Sequence, residues 1–303
     1  MVFDIRNYLS SDFDRLANFY KRTVECALSN DNYSEILVRK FSRPGYDPTK
    51  NYFIAEKNNE FIGYADLVYE KQIKRIVADI FVLSQYRNKG LGSDLLSCLF
   101  RRCRDLKAEN FQISVPEFNR EASFFLLKQN FSIVRYFHTL EMAVSKTKSL
   151  EWDLKDIVFT LFKSGEEDEL ASIQNKIFSG SWGFCPNTVE EIKYYLQLTG
   201  CRIEEVMCIG EKGKKIGYVW PHKLPRDKGS KHMRLHMLGV DPEFQGKGLG
   251  KKLLQAAFYR LKKQGVKTFE LTVDSENTPA VSLYDSLGFI LMSRSVWYEK
   301  PIT

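Results

Sequence analysis

Apolar and polar positions along this chain follow two periods that change over at glycine or proline. Leu235 to Val240 is an apolar run of strand length, ended by Asp241-Pro242, because proline cannot continue a sheet ladder. Leu254, Ala257, Phe258 and Leu261 then recur at i, i+3, i+4 and i+7, which predicts an amphipathic helix. Gly265 follows the last periodic residue, at the position of a helix C-cap. The segment F-E-L-T-V-D then reads as the next strand.

The same order of patterns occurs earlier. Residues 82–92 read V-L-S-Q-Y-R-N-K-G-L-G and residues 240–250 read V-D-P-E-F-Q-G-K-G-L-G, an offset of 158. That offset carries Leu96, Leu99, Phe100 and Cys103 onto the helical stripe, Asn119 onto Asn277, Ala122 onto Ala280 and Phe131 onto Phe289. Nearer each start the offset is 154, as from Gly63 to Gly217 and Tyr64 to Tyr218, so the second half carries about four extra residues, placed in the polar stretch 225–231. The chain is a tandem duplication. Each half predicts a first strand (near 4–9 and 158–162), a helix (11–21 and 165–177) and a second helical stretch (34–39 and 188–198). Two strands follow (51–56 with 60–69; 205–211 with 215–223), joined by Asn58-Asn59 and Lys212-Gly213, which have hairpin-turn chemistry. Then come the central strand, glycine turn, long helix, fifth strand, short helix and a last strand (133–144 and 290–299). The polar segment 145–152 is the linker, giving domains at 1–146 and 153–303.

Composition narrows the class. The 303 residues are 44% hydrophobic, enough for two packed cores, and no apolar run reaches the roughly 18 residues of a membrane span. The first residues lack the layout of a signal peptide, so a soluble, cytoplasmic protein is expected. A net charge of +7 without a basic cluster argues against nucleic acid. Six cysteines without C-x-x-C, and four histidines at no zinc spacing from them, lead us to expect buried thiols and no metal.

A strand, a glycine-rich turn and a helix start together make an anion site. The first N–H groups of a helix have no internal partner, and the helix dipole adds partial positive charge there. Glycine lets the backbone approach a phosphate closely. The segment Gln245, Gly246, Lys247, Gly248, Leu249, Gly250 and Lys251 should therefore cradle a phosphate or pyrophosphate. The Walker pattern fails because Lys252 follows Gly250-Lys251, and the dinucleotide pattern fails because the glycines run G-x-G-x-G.

What fits is [QR]-x-x-G-x-[GA]. Gln245, Gly248 and Gly250 resemble the acyl-CoA-binding motif of the GNAT superfamily of N-acyltransferases. Asn277, Ala280, Leu283, Tyr284, Gly288 and Phe289 match that superfamily's second signature, N-x-x-A-x-x-L-Y-x-x-x-G-F. The resemblance implies an α/β (α+β) fold of two tandem GNAT domains, each a mixed, mostly antiparallel sheet flanked by helices and splayed at the acyl-CoA site. It implies acetyl-CoA as co-substrate, with Leu238 and Val240 offering backbone groups to its pantetheine arm and Gly239 as the place of the strand bulge. Tyr284 takes the position of the acid that protonates the leaving thiolate, and Asn277 either binds pantetheine or caps a helix. His236 is a candidate base on strand parity with Leu238 and Val240; Asp274, Glu276 and a water chain are alternatives. In the first half Arg87, Gly90 and Gly92 keep the phosphate loop, but Leu126 and Asn130 stand where the second half has Tyr284 and Gly288. The layout is similar to tandem GNAT enzymes such as mycothiol synthase, in which the C-terminal half is the active one.

Two functions follow as expectations. One is acetyl transfer to a primary amine of a small-molecule or peptide acceptor; the other is a non-catalytic acyl-CoA-binding or sensing module. The segment 178–186, F-S-G-S-W-G-F-C-P, is where such enzymes shape the acceptor pocket, or it seals the halves together. A monomer with a pseudo-twofold pair of domains is expected.

Overall fold

The computed structural model describes residues 3–23, 33–144, 158–211, 213–223 and 231–302. The linker 145–152, most of the insertion at 225–231, Lys212 and Cys26 lie outside them. In chain order the elements are β1 (Asp4–Asn7), α1 (Phe13–Thr23), α2 (Tyr33–Phe41), α3 (Pro48–Asn51), β2 (Tyr52–Lys57), β3 (Glu60–Glu70), β4 (Arg75–Val82), α4 (Leu91–Asp105), β5 (Asn110–Pro116), α5 (Arg120–Lys128) and β6 (Ser132–Ala143). The second half repeats them as β7 (Val158–Leu161), α6 (Glu167–Phe178), α7 (Val189–Thr199), β8 (Met207–Glu211), β9 (Lys214–Lys223), β10 (His232–Val240), α8 (Leu249–Lys263), β11 (Thr268–Asp274), α9 (Thr278–Leu287) and β12 (Ile290–Pro301).

Local chemistry explains several boundaries. Asn58 and Asn59 both adopt the left-handed φ that a tight hairpin needs, which closes β2 onto β3. Thr188 caps α7 reciprocally with Glu191. Gly265, at φ 86°, donates back to the carbonyl of Lys262 and ends α8.

The chain divides into two compact units, residues 1–135 with 295–303, and residues 136–294. They depart from the linear split at 1–146 and 153–303 in one respect: each half gives its last strand to the other unit. In unit 1, Ser295 to Pro301 of β12 pair antiparallel with Pro116 to Asn110 of β5. In unit 2, Phe137 to Ala143 of β6 pair antiparallel with Asp274 to Thr268 of β11. The two registers correspond at the repeat offset of 158, so the exchange is reciprocal. A strand beside β5 or β11 satisfies an otherwise bare edge, and either copy of the last strand fits it.

Both sheets are mixed and mostly antiparallel. Among the strand pairings described, β4 with β5 and β10 with β11 are parallel, and each stops after four residues: Arg75 to Ala78 with Asn110 to Ile113, and His232 to Leu235 with Thr268 to Leu271. Beyond Leu235 the two strands of unit 2 carry no further ladder between them among the described residues. In each unit one sheet face is covered by the long helix and the short one: α4 and α5 in unit 1, α8 and α9 in unit 2. The other face is covered by α1 and α2, or by α6 and α7. Leu254, Ala257, Phe258 and Leu261 of α8 are buried, as the stripe predicts, and so is Leu253. Each large one contributes about 1.5–3 kcal/mol by burial.

Candidate active site

Gln245 to Lys251 form the turn from the 3₁₀ segment Pro242–Phe244 into α8. Gly246 and Gly248 take φ of 76° and 72°, which non-glycine residues adopt only under strain. The first backbone hydrogen bond after the turn runs from Lys252 N–H to the Gly248 carbonyl at 3.2 Å. Among the described residues, the N–H groups of Gly246, Lys247, Gly248, Leu249, Gly250 and Lys251 therefore have no backbone acceptor. Six such donors at a helix N-terminus fit a phosphate or pyrophosphate. The Gln245 side chain is committed differently: its amide donates to the Val240 carbonyl at 2.9 Å and ties the turn to the strand end. Arg87 does the same in unit 1, donating to the Val82 carbonyl at 3.1 Å. The first residue of the motif thus shapes the cradle in both units.

Gly250 lies where three elements come together. A Cβ there would lie 3.6 Å from Leu283 and 4.0 Å from Val240, so the first turn of α8, the end of β10 and α9 meet at one point. Tyr284 follows Leu283 on α9. Its ring is 7% exposed and packs edge-on to Phe289 at 5.6 Å. Burial pushes its hydroxyl up to about 12. Asn277 caps α9, its side-chain oxygen accepting from Ala280 N–H at 3.2 Å, as Asn119 caps α5.

Two expectations need correction. The bulge of β10 lies between Leu235 and Met237, at His236, and Gly239 stays in register with Tyr218. Gly239 answers a different need: a Cβ there would clash with Ile177 and stand 3.0 Å from Phe178, where α6 leans on the strand. The bulge also breaks the parity assumed for His236. Leu235 and Leu238 pack toward α8, whereas His236 and Met237 both face α6 and α7. An extra residue in a strand shifts the alternation by one, so His236 lies on the face opposite Leu238. Its ring sits 5.2 Å from Trp220, 5.9 Å from Tyr195 and 6.1 Å from His222. Burial first, then the neighbouring His222 and Arg234, push its pKa down to about 4. The β3–β4 pair of unit 1 runs from Gly63–Val82 to Glu70–Arg75 without a bulge.

The alternative bases stand at the end of β11, where Asp274 Oδ1 accepts from Glu276 N–H at 3.0 Å and shapes the turn; Glu276 is exposed. In unit 1 Gly90 has φ 88° and a Cβ on Gly92 would stand 3.5 Å from Phe125, so the loop is built alike. Arg87 also pairs with Glu121 at 3.0 Å, and Leu126 fills the tyrosine position within the core.

Three features were not legible in the sequence. Asp241, almost fully buried, accepts from Lys176 at 2.7 Å and fastens α6 to the turn. Phe137 of β6 meets Trp182 at 6.0 Å, so the exchanged strand reaches the aromatic segment of unit 2. Glu141, His232 and Glu270 converge from three strands with ligand atoms within 4.8 Å, a grouping no spacing rule reveals; Arg234 also pairs with Glu270. No helix among the described residues is long and apolar enough to cross a membrane.

Comparison with known proteins bears on the family and the fold. The acetyltransferase (GNAT) family model matches residues 13–131 and 168–289. A mycothiol acetyltransferase of Amycolatopsis mediterranei (strain U-32) is 27% identical over 264 residues, covering 85% of this chain and 86% of its own. One of Stackebrandtia nassauensis is 25% identical over 281 residues, covering 91% and 90%. Among solved structures, a GCN5-related N-acetyltransferase from Sphaerobacter thermophilus superposes with a TM-score of 0.75 at 20% identity, over 99% of this chain and 96% of that one. A tandem GNAT protein from the clavulanic acid biosynthesis pathway gives 0.70 at 12% identity, over 100% and 99%. The chain belongs to the acetyltransferase (GNAT) family and is an N-acetyltransferase with two tandem GNAT domains.

Proposed function

We propose that unit 2 transfers an acetyl group from acetyl-CoA to a primary amine of a small acceptor. The observation that carries this reading is the meeting, at Gly250, of a turn with six unused N–H donors, the end of a strand that has parted from its neighbour, and the helix bearing Tyr284. Gly246 to Lys251 would hold the pyrophosphate, with Lys247 and Lys251 adding charge. The free edge of β10 at Leu238 and Val240 would pair with the pantetheine arm and orient the thioester. Acetyl-CoA supplies the activated acetyl group.

Tyr284 and His236 flank β10 from opposite faces, which suits a displacement in which the amine enters from one side and sulfur leaves toward the other. The amine nitrogen bonds to the carbonyl carbon, the carbon–sulfur bond breaks, and Tyr284 donates toward the departing sulfur. His236, neutral above pH about 4, keeps a lone pair for the amine's proton. That depressed pKa makes it a weak base, so the amine has to reach the site already neutral or lose its first proton to water. The relatives are named for a small molecule, mycothiol, which favours a small-molecule acceptor over a peptide.

For unit 1 we propose acyl-CoA binding at Arg87, Gly90 and Gly92 without transfer, because the cradle is kept while Leu126 offers no proton. The test is calorimetry with acetyl-CoA, followed by release of free CoA thiol across a panel of primary amines. Binding with amine-dependent release is expected. Binding without release for any amine would favour the sensing module, and no binding would overturn both readings.

A further inference from the structure

The two units differ in where one aromatic ring comes from. Residues directly opposite in an antiparallel pair point to the same sheet face. Gly239 of β10 stands opposite Tyr218 of β9, whose ring lies in the α6/α7 layer, so the bare side of Gly239 faces α6. At the repeat offsets Gly239 corresponds to Phe81 of β4, and Tyr218 to Tyr64, and these two also stand opposite each other. In unit 1 the Phe81 ring stacks on Tyr64 at 5.7 Å and meets Phe19 edge-on at 5.9 Å, so the strand itself fills this layer. In unit 2 the strand carries no ring there, and the last residue of α6, Phe178, supplies one; its counterpart in the first half of the sequence is Val24.

That ring covers the bare backbone closely. A Cβ on Gly239 would stand 3.0 and 3.2 Å from Cζ and Cε2 of Phe178. The ring is half-buried, packs against the α6/α7 cluster and lies 5.6 Å from the Phe184 ring. The end of α6 is clamped in place. Lys176, two residues before the ring, donates to the buried Asp241 at 2.7 Å and to Glu243 at 2.9 Å, both on the turn that follows β10. The ring is thus held against the strand at the one residue between Leu238 and Val240.

We propose that Phe178 sets the acyl-group specificity of unit 2, its ring closing the space beyond an acetyl group at Gly239. The proposal rests on the reading that Leu238 and Val240 hold the thioester. With the carbonyl on that edge and the sulfur directed to the α8/α9 face, the acyl group points to the α6 face. There Gly239 has no side chain to meet a methyl group, and Phe178 is the next surface. A butyryl chain would carry two further methylenes into a ring that the Lys176 clamp keeps in place. One surplus methylene in a fitted pocket changes discrimination by roughly tenfold or more. A ring that only fills the layer, in place of the one that β4 supplies in unit 1, would not sense the length of the chain.

Affinity for acetyl-CoA and butyryl-CoA decides between the two roles, because calorimetry needs no acceptor amine. Each protein is the full chain carrying Gly90→Val, whose strained turn disables the cradle of unit 1 and leaves unit 2 to report. This parent should bind acetyl-CoA about tenfold or more tighter than butyryl-CoA. Phe178→Ala should bring the two esters within about twofold, and the milder Phe178→Leu should fall between. Ile173→Ala, on the same helix and in the same cluster, should melt lower yet keep the parent ratio. Without Gly90→Val, unit 1 adds the same background to every variant, so the change of ratio on replacing Phe178 should persist. A parent that binds both esters alike, or Phe178 variants that keep its ratio, would overturn the proposal while the reading of unit 2 stands. A folded chain that binds neither ester would overturn that reading and the proposal with it.

Discussion

Tyr284→Phe removes one oxygen and tests unit 2 as the catalytic unit. The ring is 7% exposed and packed on Phe289, and its hydroxyl has no protein hydrogen bond among the described residues, so folding should change by less than about 1 kcal/mol. The chemical effect has a calculable ceiling. Burial holds the phenol at about 12, while a thiol titrates near 8.5. Complete proton transfer to the thiolate is then uphill by roughly 5 kcal/mol, at 1.36 kcal/mol per unit. Tyr284 therefore acts mainly by hydrogen-bonding the charge that grows on sulfur, and such a bond is worth about 1.5–3 kcal/mol. The expected loss in kcat is about ten- to a hundredfold, smaller than the roughly 10⁴ that full acid catalysis can supply. KM for acetyl-CoA should not move, because the charge exists only near the transition state. The assay is steady-state release of CoA thiol with a saturating amine, beside a thermal melt. A kcat within about twofold of the parent, or a loss confined to KM, would refute the argument.

Other expectations rest on single features. Gly248→Val should cost about 1–2 kcal/mol of stability from its left-handed φ and also abolish acetyl-CoA binding in calorimetry; Gly200→Val, equally left-handed and equally open, should melt lower but bind normally. Gly239→Ala should destabilise by about 1–3 kcal/mol because α6 must retreat, and adding Ile177→Ala should recover part of that loss in a denaturant titration. His236 is depressed from 6.5 to about 4, so the unfolded chain binds the extra proton between those values. Its contribution is complete above pH 6.5 and is lost as pH falls to 4, at most about 3 kcal/mol, and a His236→Gln variant should show a shallower acid limb. Residues 153–303 alone would lose the strand that pairs with β11, and with it the buried Leu140 and Met142. Because its own β12 can cover that edge instead, the fragment should lose stability rather than unfold, and a thermal melt unchanged from the full chain would contradict the exchange.

The sequence alone was enough for everything that rests on neighbours along the chain. The helical stripe of α8, the hairpin at Asn58-Asn59 and the glycine turn after β10 are local: a few residues dictate φ, a period or a cap, and the structure carries each one. The family followed from the same stretches. What depends on partners distant in the chain was decided by the tertiary structure. A single extra residue opposite Pro221 and Trp220 turned His236 to the other face of the sheet, and strand alternation read from sequence has no way to register a bulge. Gly239 was legible as a glycine but not as the landing place of α6. The exchange of last strands left no mark because the two copies are equivalent by register: either satisfies the same edge, and geometry alone chose which one reached it.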